Sequence, residues 1–198
     1  MIVDILLLLA AYLIGSVPTG VLLARTAGVD PRQVGSGNIG ATNVARSAGT
    51  RLGLFTLAGD AIKGALPVLL APAVSDTPWV SAATGLAAIA GHLFSVFLRF
   101  RGGKGVATAA GAFLVLAPLA TIASVAVFAA TAYAFRLVSL ASMAAAGALP
   151  LLAMALGTSS AVAVAAWVTA MAVIARHREN IRRIAAGREP RFGARGPA

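Results

Sequence analysis

The chain has 198 residues, of which 59% are hydrophobic and only 11% charged, with a mean hydropathy of +0.90. Ordinary soluble domains carry about a quarter of their residues as charges, so this composition excludes that class and indicates a single polytopic helical membrane domain over residues 1–198. The net charge of +10 raises nucleic acid as a partner, but the cations sit in short loops between apolar runs. Membrane topology and anionic lipid headgroups account for them better there.

Seven apolar segments follow in order, at about 2–24, 52–73, 79–98, 105–119, 120–136, 139–156 and 161–176. The first lacks a basic leader, carries Asp4 and runs into a polar loop without an Ala-x-Ala site, so it reads as a span and not as a cleaved signal. The fourth and fifth meet near Pro118. Joined, they would make about 31 residues, too long for one span of roughly 17–25, so seven spans are expected and not six.

Charge sets the orientation. Arg25, Arg32, Arg46, Arg51, Arg99, Arg101, Lys104, Arg136, Arg176 and the tail from Arg178 to Arg195 all fall on one side of a seven-span chain. The other side holds Asp4 and Asp76 and no Lys or Arg. By the positive-inside rule the N-terminus is outside and the C-terminus cytoplasmic. Lys63 is the exception, about three turns inside the second helix.

Three polar segments then share the cytoplasmic face. In the first, Gly35-Ser36-Gly37-Asn38-Ile39-Gly40-Ala41-Thr42-Asn43, seven of nine residues are glycine or hydrogen-bonding types. Ser36, Asn38, Thr42 and Asn43 offer side-chain donors, the glycines permit close backbone approach, and Arg46 lies one helical turn beyond Thr42. A capped turn would use the same residue types. In the second, Gly102-Gly103-Lys104-Gly105, amides at a helix start and one fixed positive charge suit a phosphate. It is no Walker motif, because Lys104 is followed by Gly105 and not by Ser or Thr, and a flexible basic turn remains the alternative. In the third, His177 and Asn180 share a helix face beside Arg178, Arg182 and Arg183. Asp60 with Lys63, and His92, read at least as well as packing or hydrogen-bonding groups as they do as catalytic ones, and Ser139 with Ser142 read as caps or back-bonded serines.

In order along the chain, Gly15-Ser16-Val17-Pro18-Thr19-Gly20, the first polar segment, Asp60-Ala61-Ile62-Lys63-Gly64, Gly91-His92-Leu93-Phe94, Gly102-Gly103-Lys104-Gly105-Val106-Ala107-Thr108 and His177-Arg178-Glu179-Asn180-Ile181 resemble the bacterial acyl-phosphate:glycerol-3-phosphate acyltransferases (PlsY). Gly187-Arg188-Glu189 extends the likeness. It implies a seven-helix enzyme of the bacterial inner membrane with its active site facing the cytoplasm. The enzyme would move an acyl chain from acyl phosphate to the 1-hydroxyl of glycerol 3-phosphate, the first step of phospholipid synthesis, without metal or cofactor. The resemblance implies catalytic roles for Ser36, Arg46, Lys104, Ser142, His177 and Asn180. It implies substrate binding by Gly37, Asn38, Thr42, Asn43, Gly102, Gly103 and Gly105, with Glu189 structural. Ser95 replaces a common proline and Arg101 a common lysine, neither at a site position.

The residues agree with that chemistry. No cysteine and no Ser-His-Asp set are evident, so direct transfer is expected over an acyl-enzyme. Two histidines and six acidic residues leave little for a metal centre. The rival class is a small transporter or channel for an anionic metabolite, which would place polar groups near the midplane and show internal symmetry. Acyl-chain preference, oligomeric state (monomer or otherwise) and the identity of the base are not legible in the chain.

Overall fold

The structure, a computed structural model, describes residues 1–193, so Arg195 of the basic tail lies outside the described residues. Among the described residues every regular element is helical. The first apolar run is divided into α1 (Ile2–Ser16) and α2 (Thr19–Arg25). Pro18 sits at the division; without an N–H it cannot continue the helical ladder. The first polar loop contains α3 (Ala41–Ala48), followed by α4 (Thr50–Leu70), α5 (Pro78–Leu93) and α6 (Val106–Leu116). Then come α7 (Pro118–Phe135), α8 (Val138–Ala155), α9 (Ser160–Arg176) and α10 (Arg178–Ala185). Ala117, at φ −150° and ψ 70°, separates α6 from α7. A residue before proline is pushed away from helical angles, so the fourth and fifth segments are two helices.

Five runs are long and apolar enough to cross a membrane: Ile2–Arg25, Thr50–Ala73, Pro78–Leu98, Pro118–Phe135 and Val138–Ala155. Together α9 and α10, bent by 56°, make a sixth candidate, while α6 is a shorter apolar helix. Side chains are distributed as lipid requires. Leu54, Ile62, Leu119 and Met171 are 60–70% exposed, whereas the interior is largely alanine, glycine, serine and threonine. Small residues let helix backbones approach closely where no water is present to drive association.

The helices form two compact units, one over Met1–Pro118 and one from Leu119 onward. In the first unit α1 packs on α5, and α4 packs on α5 and α6. The C-terminal ends of α1 and α5 lie together: Ser95 Oγ donates to the Ser16 carbonyl at 2.6 Å and Tyr12 Oη to that of Phe94 at 2.7 Å. These two helices are therefore parallel. Helix α4 runs against them, its Asp60 near His92 and its Val68 near Gly85. Glycines set the closest crossing: a Cβ on Gly64 would strike the Thr108 carbonyl, and one on Gly111 that of Ala61. The first two polar segments consequently lie at one end of this unit, where α2 and α5 finish and α4 and α6 begin.

In the second unit α8 and α9 pack together across the tight turn at Gly157, φ +69°. Ser159 caps α9 by accepting from the Val162 amide at 3.4 Å. The start of α8 and helix α10, which follows α9, share one end of this unit, joined through Glu189.

Candidate active site

The first polar segment is organised from within. Asn43, on α3 and 2% exposed, accepts from the Ser36 amide at 3.0 Å through Oδ1. Its Nδ2 reaches the carbonyls of Pro31, Val34 and Asn38 at 2.8, 3.1 and 2.9 Å. One amide thus gathers residues 31–38 around itself. Gly35 adopts φ +60° directly against Oδ1, where a Cβ would collide. At the mouth of the loop Arg32 donates to Asp30 from its backbone and its guanidinium, and these bonds hold the Asp30 carboxyl down to about 2. Ser36, Gly37, Thr42 and Arg46 are left exposed on the outer surface, with Asn38 half-buried. Asn43, expected as a substrate ligand, therefore has its side chain engaged in shaping the loop.

The glycine-rich loop is also used differently from the expectation. The amides of Gly102 and Gly103 donate to the carbonyls of Leu93 and His92, at 3.2 and 3.0 Å. They tie the loop to the end of α5, so those bonds do not point outward to a phosphate. The open helix start belongs to the next residues. Gly105, at φ +81°, is the N-cap of α6, and the following first-turn amides have no acceptor within the helix. Lys104, half-buried, stands between Gly103 and that cap.

In the second unit His177 terminates α9 and starts α10, 2% exposed. Its Nδ1 lies 2.8 Å from the Val173 carbonyl. A carbonyl only accepts, so Nδ1 carries the proton and Nε2 holds the lone pair of the neutral ring. Asn180, 5% exposed, donates to Glu189 Oε1 at 2.6 Å. Ser139 donates to the same oxygen at 2.7 Å, and Arg183 Nε to Oε2 at 2.6 Å. Ser142 donates to the Val138 carbonyl at 2.8 Å, a bond within its own helix that leaves the hydroxyl oxygen able to accept.

Burial raises the Glu189 carboxyl, but the hydrogen bonds from Ser139, Asn180 and Arg183, with the Arg183 charge, outweigh it and hold the group below its ordinary value. A depressed folded value stabilises the protein above the unfolded value, about 4.3 for glutamate, and that contribution is lost as pH falls further. The melting temperature of the detergent-solubilised protein is therefore expected to fall below about pH 4. Glu189→Gln should flatten that acid slope and lower the melting temperature at neutral pH. An unchanged slope in the variant would remove Glu189 as its source.

Sequence reasoning missed two organisers. Asn43 was grouped with ligands because its side chain matches theirs. His92 reads in sequence as a packing or hydrogen-bonding group at least as readily as a catalytic one, because its neighbour Gly103 is adjacent only in space.

The sequence model of the family described as glycerol-3-phosphate acyltransferase matches residues 5–187. A glycerol-3-phosphate acyltransferase of Geotalea daltonii is 50% identical over 190 residues, covering 96% of this chain and 97% of its own. One from Rubrobacter xylanophilus is 47% identical, covering 97% and 96%. The crystal structure of PlsY (YgiH), an integral membrane glycerol 3-phosphate acyltransferase, in its glycerol 3-phosphate form superposes with a TM-score of 0.92 at 42% identity, covering 96% of each chain. Its lysophosphatidic acid form gives 0.90 at 41% identity, covering 96% of this chain and 95% of that one.

Proposed function

Because the chain belongs to the glycerol-3-phosphate acyltransferase family, we propose that it acylates the 1-hydroxyl of glycerol 3-phosphate from acyl phosphate, releasing lysophosphatidic acid and phosphate. The observation that carries this reading is the near full-length likeness to an enzyme solved with both the acceptor and the acylated product. Acyl phosphate as donor rests on the motif resemblance and on the chemistry. A mixed anhydride has a good leaving group, so no covalent nucleophile is needed. The hydroxyl oxygen attacks the acyl carbon, the bond to the phosphate oxygen breaks, and the hydroxyl proton passes to the departing phosphate or to His177. Orientation and neutralisation of developing charge supply most of the acceleration.

The whole chain, 1–198, serves this one reaction in this reading. Lys104 and the first turn of α6 take a phosphate. The exposed group Ser36, Gly37, Asn38, Thr42 and Arg46 binds and activates substrate, with Asn43 shaping its backbone. Ser142, His177 and Asn180 complete the catalytic set, and Gly102, Gly103 and Gly105 form the loop that carries Lys104. The test is direct: purified protein should release inorganic phosphate from acyl phosphate only when glycerol 3-phosphate is added. Release without the acceptor, or none with it, would refute the assignment.

The same reading places seven spans in the bacterial inner membrane, N-terminus outside, with the reaction on the cytoplasmic side. Alternating directions of α1, α4, α5 and α6 support it. The chain has no native cysteine, so single cysteines report sidedness cleanly. Cysteines at Arg32, Arg101 and Arg188 should react with impermeant maleimide only in inside-out vesicles, and one at Asp76 only in intact cells. Labelling at Arg32 and Arg188 from opposite sides would discard the seven-span topology.

A further inference from the structure

Asp60 and Lys63 on α4 and His92 on α5 are 2%, 6% and 4% exposed, within helices that cross the membrane. Ionisable groups at such depth are costly and rarely idle. Lys63 Nζ lies 2.8 Å from Asp60 Oδ1 and donates to the Val17 carbonyl at 2.7 Å. That carbonyl belongs to the break between α1 and α2, so the lysine and its counter-ion satisfy a local backbone defect. His92 is placed differently. Its Nδ1 sits 3.6 Å from Asp60 Oδ1, an electrostatic contact beyond hydrogen-bond range, with no hydrogen-bond partner among the described residues.

The other edge of the ring meets the glycine-rich loop. A Cβ on Gly103 would collide with His92 Nε2 and lie 3.1 Å from Cε1 and 3.2 Å from Cδ2. The main chain closes the same contact, the Gly103 amide donating to the His92 carbonyl at 3.0 Å. Gly103 is thus held on the imidazole by both its backbone and its missing side chain, one residue before Lys104.

We propose that His92, oriented by Asp60, is a positioning residue whose ring seats Gly103 and thereby sets where Lys104 stands relative to the acceptor's phosphate. This rests on the reading of the Lys104 loop as a phosphate site. A ring of this size beneath a glycine fixes the loop's height, and small misplacements of a positioned charge are enough to lose rate.

The experiment uses the full-length enzyme with both substrates varied. In His92→Ala the KM for glycerol 3-phosphate should rise by about tenfold or more, with the acyl phosphate KM held within about twofold. Gly103→Ala should do the same, because its methyl enters the ring's space. The double variant should lose less than the product of the two single losses, since the methyl then occupies the vacated volume. His92→Gln, which refills part of that volume, should fall between wild type and alanine, and it carries the test with Gly103→Ala if His92→Ala does not fold. Lowered kcat with both KM values unchanged, or multiplicative losses in the double variant, would overturn the proposal as a merely structural contact. Lys104→Ala separates the two readings. If it raises the glycerol 3-phosphate KM while His92→Ala does not, only the positioning role falls. If Lys104→Ala leaves that KM unchanged, the phosphate site and the positioning role fall together.

Discussion

Lys104→Ala is expected to raise the KM for glycerol 3-phosphate by on the order of a hundredfold, or to abolish turnover, with the protein still folded. A hydrogen bond from a charged donor contributes about 1.5–3 kcal/mol, and removing a donor from a preorganised anion site costs rate on the order of 10²–10³-fold. Lys104 is placed for such a role: half-buried, tethered on one side by Gly103 and on the other by the left-handed Gly105 that opens α6. Its charge and the first-turn amides of α6 favour an anion together. Lys104→Arg should recover only part of the loss, because a planar fork does not place one point charge at the same height. Steady-state kinetics with each substrate varied will check this, and wild-type constants in Lys104→Ala would remove the phosphate site from this loop.

The fold was legible wherever a local rule decided it. Pro118 stops the fourth segment because the residue before it is pushed off helical angles, and the break stands at Ala117. The break at Pro18, inside what reads as one run over 2–24, shows only in the structure. The apolar runs read as helices because they are long and, between their end residues, carry almost no charge, Asp4, Asp60 and Lys63 being the exceptions. Position alone gave the helices but not the inward arrangement of polar groups. Ser139 and Ser142 look alike in sequence, three apart at the start of α8. One bonds Glu189, fifty positions later, and the other its own helix. Glycines were the more deceptive signal. In Gly102-Gly103 they suggested amides exposed to a phosphate, whereas the chain needs them to lie against the α5 carbonyls and the His92 ring. A glycine's absent side chain serves close packing and ligand approach equally well, and only the neighbour reveals which. Asn43 likewise carries the chemistry of a ligand but meets four backbone groups of its own loop first.

His177→Asn is expected to lose activity mainly through misplacement of the substrate, while its pH–rate profile keeps an acid limb. The substitution is a clean probe because of the geometry. With Nδ1 donating to the Val173 carbonyl at 2.8 Å, an asparagine Nδ2 can take over that bond, so the variant removes the Nε2 lone pair while keeping this anchor to α9. If Nε2 were the general base, the loss would be about 10²–10⁴-fold and the acid limb would go with it. The third motif holds no other imidazole, its remaining ionisable groups being arginine and Glu179. If the donor phosphate takes the proton, the limb persists, set by a phosphate ionisation near pH 6, roughly that of a phosphate monoester. Activity then falls because the substrate is misplaced. The second outcome is the one expected, since the leaving phosphate is already beside the attacking hydroxyl and gains the proton as its bond to carbon breaks. An acid limb that disappears in His177→Asn would assign the base to Nε2 instead.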